Sequence, residues 1–336
     1  MLKRLLLCVF VGLSLVVDAQ DPQFTQFYAN PLYLNPAFAG SARCPRFNIN
    51  YRNQWPALKQ TYITSSASYD QHFDVMNGGI GLLVLNDKAG EGTIATTNIS
   101  GMYAYQLNVN RKLSMRFGLQ ATYVQKTLDW DKLTFGDMID PRYGFVYQTQ
   151  ETRPKESKSY TDFSFGALAY TSSVYGGFAI HHLTEPDEAF LVKGTSKLPR
   201  KYTAHIGALI PIGGGYGGGY KGRINRDEGT FISPNLLYQQ QAAFNQLNFG
   251  IYILHSPIVG GLWYRGNFGK NPSIASDAFI ALIGIQKGVF KFGYSYDVTV
   301  SKLSNSTGGS HEISLGLQFA CHPKKKRFRA ISCPSF

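Results

Sequence analysis

The sequence predicts an all-β protein: a transmembrane antiparallel β-barrel of about 14 strands, preceded by an aromatic, plug-like segment. Three observations predict it. Apolar and polar side chains alternate with a period of two through one segment after another, as a strand must when one face meets lipid and the other a lumen. Beyond residue 20 no stretch approaches the roughly 18–20 uninterrupted apolar residues of a transmembrane helix. Finally, 23 Phe, 21 Tyr and 35 Gly stand against only 16% charged residues, where soluble domains average about 25%.

Residues 1–19 read as a signal peptide, with a basic start (Lys3, Arg4), an apolar run from Leu5 to Val17 and a cleavage site at Val17-Asp18-Ala19. Maturation at Gln20 is expected, and with it export. A lipoprotein box at Cys8 is disfavoured, because the apolar run before it falls well short of the roughly 7–15 residues required.

Residues 20–45 form the plug-like segment. Its sequence, QDPQFTQFYANPLYLNPAFAGS, sets Asn30-Pro31 and Asn35-Pro36 among Phe24, Phe27, Tyr28, Tyr33 and Phe38. Asn-Pro pairs start turns or helices, and so many rings would not stay in water. The segment is expected to pack into the barrel mouth.

The barrel is assigned to residues 46–320. Leu113, Met115, Phe117, Leu119, Ala121 and Tyr123 share one face of a strand, with Ser114, Arg116, Gly118, Gln120 and Thr122 on the other. Small residues such as Gly118 and Gly293 permit close backbone approach on the luminal side. The same period runs through Phe290 to Val298, Ile313 to Phe319 and Leu247 to Ile253. Strands are expected near 46–54, 61–70, 78–86, 93–107, 112–127, 160–171, 173–181, 200–210, 229–240, 244–254, 257–266, 276–286, 289–298 and 310–320. An even count returns the chain to its starting side, and outer-membrane barrels keep both termini periplasmic, with short turns there and long loops outside. The Gly-rich stretch from Pro211 to Glu228 breaks that pattern, as a long connection on the short-turn side or a missed strand. A soluble sandwich also alternates, but it would carry charge on its outward faces.

Residues 321–336 form a basic tail. Net charge is +12, and Lys324, Lys325, Lys326, Arg327 and Arg329 concentrate it. An exported protein does not meet nucleic acid, so the cluster points to outer-membrane lipid headgroups or an acidic protein face, unless it is simply a solvated tail. After maturation Cys44, Cys321 and Cys333 remain. Cys44 precedes the first strand and Cys321 follows the last, so both should lie at the barrel seam, and a disulfide from Cys44 to Cys321 or Cys333 is geometrically reasonable.

Signals for chemistry are weak. His181 and His182 should alternate sides of a strand end, and no metal spacing, nucleophile motif or phosphate loop is present. Asp137, Asp140, Asp187 and Glu188 read as solvated loop charge. No cofactor or metal is expected, nor an enzyme.

Five stretches are more distinctive than strand filler: DPQFTQFYANPLYLNPAFAGS at 21–41, HHLTEPDEAFL at 181–191, WYRG at 263–266, YDVTVSKLSNSTGGSHEISL at 296–315 and the terminal CPSF. On these the chain resembles the PorP/SprF family of Bacteroidetes outer-membrane proteins. The motif residues are Asp21, Pro22, Phe24, Gln26, Phe27, Asn30, Pro31, Asn35 and Pro36, with Asp297, Ser301, Gly309, Ser310, His311 and Glu312. The resemblance implies a component of type IX secretion and gliding, working with periplasmic motor-ring or peptidoglycan-associated subunits and with secreted cargo bearing a C-terminal sorting domain. The competing expectation is an outer-membrane solute channel.

Overall fold

The computed structural model describes residues 21–58, 61–90, 92–190, 194–212, 229–267, 278–300 and 307–319. Fourteen antiparallel strands form the wall: β1 Arg46–Gln54, β2 Tyr62–Phe73, β3 Gly78–Ala89, β4 Ile94–Asn108, β5 Ser114–Leu128, β6 Ser157–Tyr170, β7 Val174–His181, β8 Lys201–Ala208 with its continuation Ile210–Ile212, β9 Thr230–Gln241, β10 Phe244–His255, β11 Ile258–Asn267, β12 Ala278–Lys287, β13 Phe290–Thr299 and β14 Ser310–Gln318. Each pairs with its chain neighbours. β1 also pairs with β14, Arg46 opposite Gln318 and Gln54 opposite Ser310, which closes the ring. Among the described residues, closure gives each of the fourteen wall strands a partner on both sides, the condition for crossing a bilayer with strands.

The wall is polar inside and apolar outside. On β5, Arg116 is fully buried while Leu119 is 62% exposed. On β13, Ser295 and Asp297 point inward while Phe290, Phe292 and Val298 are exposed. Leu82, Leu262, Phe279 and Ile283 continue the outer apolar surface. A soluble fold would lose free energy by such exposure, about 25 cal/mol per Å2 of apolar surface left in water; lipid removes that cost.

The end where Arg46 meets Gln318 is called the near end, and the end where Gln54 meets Ser310 the far end. Most near-end connections are short, as at Asp74–Met76 and between Lys287 and Phe290, while the 129–156 and 182–200 loops lie at the far end. The 129–156 loop carries its own two-stranded hairpin, Ile139–Asp140 with Gly144–Phe145. Beyond Leu209, Ile210–Ile212 pairs with Thr230–Ile232 and adds no new wall strand. The rest of the Gly-rich connection, 213–228, lies outside the described residues.

Residues 21–43 lie inside the ring. Asn30 and Asn35 precede two prolines that begin short helical turns, Pro31–Leu34 and Pro36–Phe38. Proline suits a first helical position, where its missing N–H has no partner to lose. The Asn35 side chain accepts the Ala37 N–H at 2.9 Å. Phe27, Leu32, Phe38 and Ala39 then bury themselves with wall residues such as Leu168, Tyr175, Leu237, Tyr252, Trp263 and Ile280. The lumen is therefore a packed core along much of its wall.

Strand parity does not give the direction of this segment. The two ends of the wall do share the near end, yet the chain amino-terminal to β1 runs back through the ring, and Asp21 contacts His182, Lys201 and Gln241 at the far end. Parity of strand number fixes where the wall begins and ends. It says nothing about more than 20 residues free to re-enter the lumen.

Candidate functional site

The segment is held by four groups of buried polar contacts. The largest surrounds Thr25 and Gln26. Both backbone N–H groups donate to the Glu312 carboxylate, at 2.6 and 3.0 Å. The Thr25 hydroxyl donates to Asp297 at 2.7 Å and accepts from Arg265 at 2.8 Å and from Arg52. Arg52 pairs with Asp297 at 2.9 Å and with Glu312 at 3.3 Å, and Arg265 pairs with Asp297 at 3.1 Å. Two carboxylates thus face two guanidiniums, all buried. The Gln26 amide donates to Ser295 and to the Glu312 carbonyl, and accepts from Ser314 at 2.6 Å. A buried charge is tolerable when paired and hydrogen-bonded, and here the pairing is completed by the inserted segment.

The second group is the amino-terminal latch. His182 lies between two carboxylates, with Nδ1 at 2.7 Å from Asp162 and Nε2 at 2.9 Å from Asp21. Lys201 reaches Asp21 at 3.4 Å and sits over the Tyr33 ring. Burial alone would discharge His182, but Asp21 and Asp162 outweigh it and raise its pKa to about 10. For Asp21, burial works against ionisation, while His182 and Lys201 outweigh it and hold the carboxyl well below its usual range. His181 and His182 were expected on opposite sides of the strand end. Instead β7 stops at His181, His182 takes a left-handed φ of 59°, and both line the same far-end cavity. Among the described residues no group of His, Cys, Asp and Glu has metal-binding geometry.

The third group grips the turn at Asn35. Its amide donates to the Ala167 and Phe178 carbonyls at 3.1 and 3.2 Å, and Phe38 stacks on His205 with centroids 5.4 Å apart. Wall glycines make this possible. A Cβ on Gly166 would fall on Asn35 Oδ1, and one on Gly118 on the backbone of Pro36 and Ala37. The fourth group secures the near end: Asp70 accepts the Gly40 N–H at 2.8 Å and pairs with Arg46 at 2.8 Å, while buried Arg116 donates to the Ala37 and Ala39 carbonyls.

The sequence motifs meet in these contacts. Asp21, Gln26, Asn30 and Asn35 make polar anchors, Asn30 through Ser66 at 2.8 Å. Phe24 packs edge-on against Tyr33, and Phe27 against Trp263. The Pro22 carbonyl accepts the Tyr33 hydroxyl. Asp297 and Glu312 are the wall partners. Gly309 leads into β14, which Ser310 begins at the far end, and the Gly309 carbonyl accepts the Trp55 N–H at 2.9 Å. His311 faces outward against Tyr294 and Tyr296, away from the segment. Arg52, Asp70, Arg116 and Asp162 were not singled out from sequence as site residues; a charged residue within an otherwise neutral luminal face is the signal that marks them. Ser301, Cys321, Cys333 and the Lys324, Lys325, Lys326, Arg327 and Arg329 cluster lie outside the described residues. Cys44 is disulfide-bonded. Its partner lies outside the described residues, and the Phe319 N–H donating to the Pro45 carbonyl at 3.0 Å brings the end of β14 beside it.

A closed ring of fourteen strands, apolar outside and polar within, defines an outer-membrane β-barrel. A scan of family profiles matches residues 16–317 to the type IX secretion system membrane protein PorP/SprF family. The chain belongs to that family, and as such is an outer-membrane component of type IX secretion. A search of curated proteins finds no match. Solved structures with a similar fold include the toluene transporter TbuX of Ralstonia pickettii, with 10% identity, a TM-score of 0.46 and coverage of 86% of this chain and 93% of that one. The CymD monoaromatic hydrocarbon channel has 12% identity and a TM-score of 0.45, covering 88% and 94%. Omp33 of Acinetobacter baumannii has 8% identity and a TM-score of 0.43, covering 83% and 100%.

Proposed function

We propose that this barrel is a closed, partner-binding element of the type IX machinery, and neither an enzyme nor an open solute channel. The observation that carries the reading is the inserted segment, whose anchors on β2, β5, β6, β13 and β14 tie it around the ring. A barrel built to pass solutes would not spend its luminal charges in fixing its own chain across the passage.

In this reading the near end faces the periplasm, because the short turns lie there. The tail bearing Lys324, Lys325, Lys326, Arg327 and Arg329 then binds an acidic face of a motor-ring or peptidoglycan-associated subunit. The long basic tail ending in CPSF resembles that of PorP within the family. Cargo carrying a C-terminal sorting domain meets the far-end loops, where the hairpin of the 129–156 loop exposes Tyr143, Phe145 and Tyr147. Rings displayed on a loop held by a rigid scaffold suit protein recognition.

Affinity purification from native outer membranes tests this. Periplasmic secretion subunits should co-purify, with recovery falling as salt rises and falling again when the five tail cations are replaced by Gln. Recovery of the barrel alone would favour the channel.

A further inference from the structure

We propose that the far-end vestibule is a binding site for a neutral oligosaccharide. Between the inserted segment and the far rim lies a cavity of about 520 Å3, within the roughly 300–1,000 Å3 typical of small-ligand sites. Its charges are already answered. Lys126 pairs with Glu188 at 2.8 Å, Lys201 with Asp21, Arg52 and Arg265 with Asp297, and His182 with Asp162. Asp87 accepts the Thr64 hydroxyl at 2.6 Å. Five lining carboxylates face four Lys or Arg side chains and the His182 ring, so little net charge remains for an ionic solute.

What the site has left is hydrogen-bonding capacity in uncharged groups. The β4–β5 wall presents Thr96, Asn98, Ser100, Gln120 and Thr122 to the cavity. Gln120 Nε2 donates to the Ser100 and Thr122 hydroxyls at 3.2 and 2.9 Å, while Gln120 Oε1 and Asn98 Oδ1 have no partner. Turned into the cavity, these two amides offer donors and acceptors to a hydroxyl-rich ligand, whereas an apolar solute would leave them unpaired. The neighbouring hydroxyls donate and accept alike, as sugar hydroxyls do. At the rim Trp55 and Tyr62 stand edge to face, with centroids 5.8 Å apart, and Phe244 also lines the cavity. Apolar ring faces beside hydroxyl and amide groups match a pyranose, which has apolar C–H faces and a polar edge. An extended peptide fits less well, because β4 and β5 are both paired on each side and offer no free strand edge for backbone addition.

The test uses the full-length protein in detergent on an array of neutral mono- to tetrasaccharides, with acidic sugars and triglycine amide as further arms, followed by calorimetric titration of the best probe. Saturable binding of a neutral di- to tetrasaccharide is expected. The N98A/Q120A double variant should bind roughly tenfold more weakly or worse, with unchanged heat-modifiable mobility on gels as the check on folding. Should that variant fail to form the barrel, W55A takes its place and should lose affinity likewise. Silence of all neutral sugars, binding unaltered in a folded variant, or binding of the peptide or acidic sugars in their stead would each overturn the proposal. None of these outcomes depends on which compartment the far end faces or on which secretion subunits bind the barrel.

Discussion

Replacing Glu312 by Ala should release the inserted segment while leaving the wall intact. The side chain accepts two backbone N–H groups, from Thr25 and Gln26, and supplies one of the two carboxylates facing Arg52. Stranding two buried N–H donors costs about 1–3 kcal/mol each. Arg52 keeps Asp297, so the lost ion pair adds only a part of the roughly 3–5 kcal/mol cost of breaking a buried pair. A total of about 3–8 kcal/mol corresponds to a shift of roughly 10² to 10⁶ in the docked-to-released ratio. Those same N–H groups report on the change, so amide hydrogen exchange on detergent-solubilised protein is the direct assay. Protection of Thr25 and Gln26 should fall by at least about 10²-fold, while amides of the β14 ladder keep theirs. Equal loss across segment and wall, or protection at Thr25 and Gln26 unchanged within about threefold, would refute the local-lock reasoning.

Three further outcomes follow from the same contacts. G118V and G166V set side-chain atoms where the segment backbone and Asn35 now lie, so each should release residues 35–39 to added protease while heat-modifiable barrel mobility persists; a still-protected segment counts against the packing. The folded pKa of His182, about 10, lies above its ordinary 6.5, so the latch contribution is fully present below about pH 6.5 and is lost as pH rises through about 10. Histidine ring-nitrogen NMR should accordingly find His182 still protonated at pH 8, and a titration midpoint near 6.5 would contradict the latch. Peptide mapping without reduction should find Cys44 joined to Cys321 or Cys333; a free Cys44 thiol would contradict the bridge.

Much of the wall was legible because a period of two leaves little freedom. Once Phe117, Leu119 and Tyr123 face lipid, Arg116, Gly118, Gln120 and Thr122 must face inward, and the observed register obeys this. The lumen was less legible. Leu237, Tyr252, Trp263 and Ile280 are apolar yet point inward, which the polar-lumen rule does not anticipate, because the inserted segment covers them and turns that side into a core. The aromatic content of residues 20–45 signals burial, and Phe24, Phe27 and Phe38 are buried, but it carries no direction. Pairings such as Arg52 with Asp297 or His182 with Asp21 join residues far apart in the chain, and only closure of the ring brings them together. His182 was misplaced for a local reason, since one left-handed residue past a strand end defeats strict alternation.

Steady-state conductance of the full-length protein in planar bilayers, compared with that of a chain lacking residues 21–41, tests most directly whether the segment closes the passage. The intact protein should be nearly silent and the shortened one should conduct. Stable, equal open-pore currents from both would contradict the account.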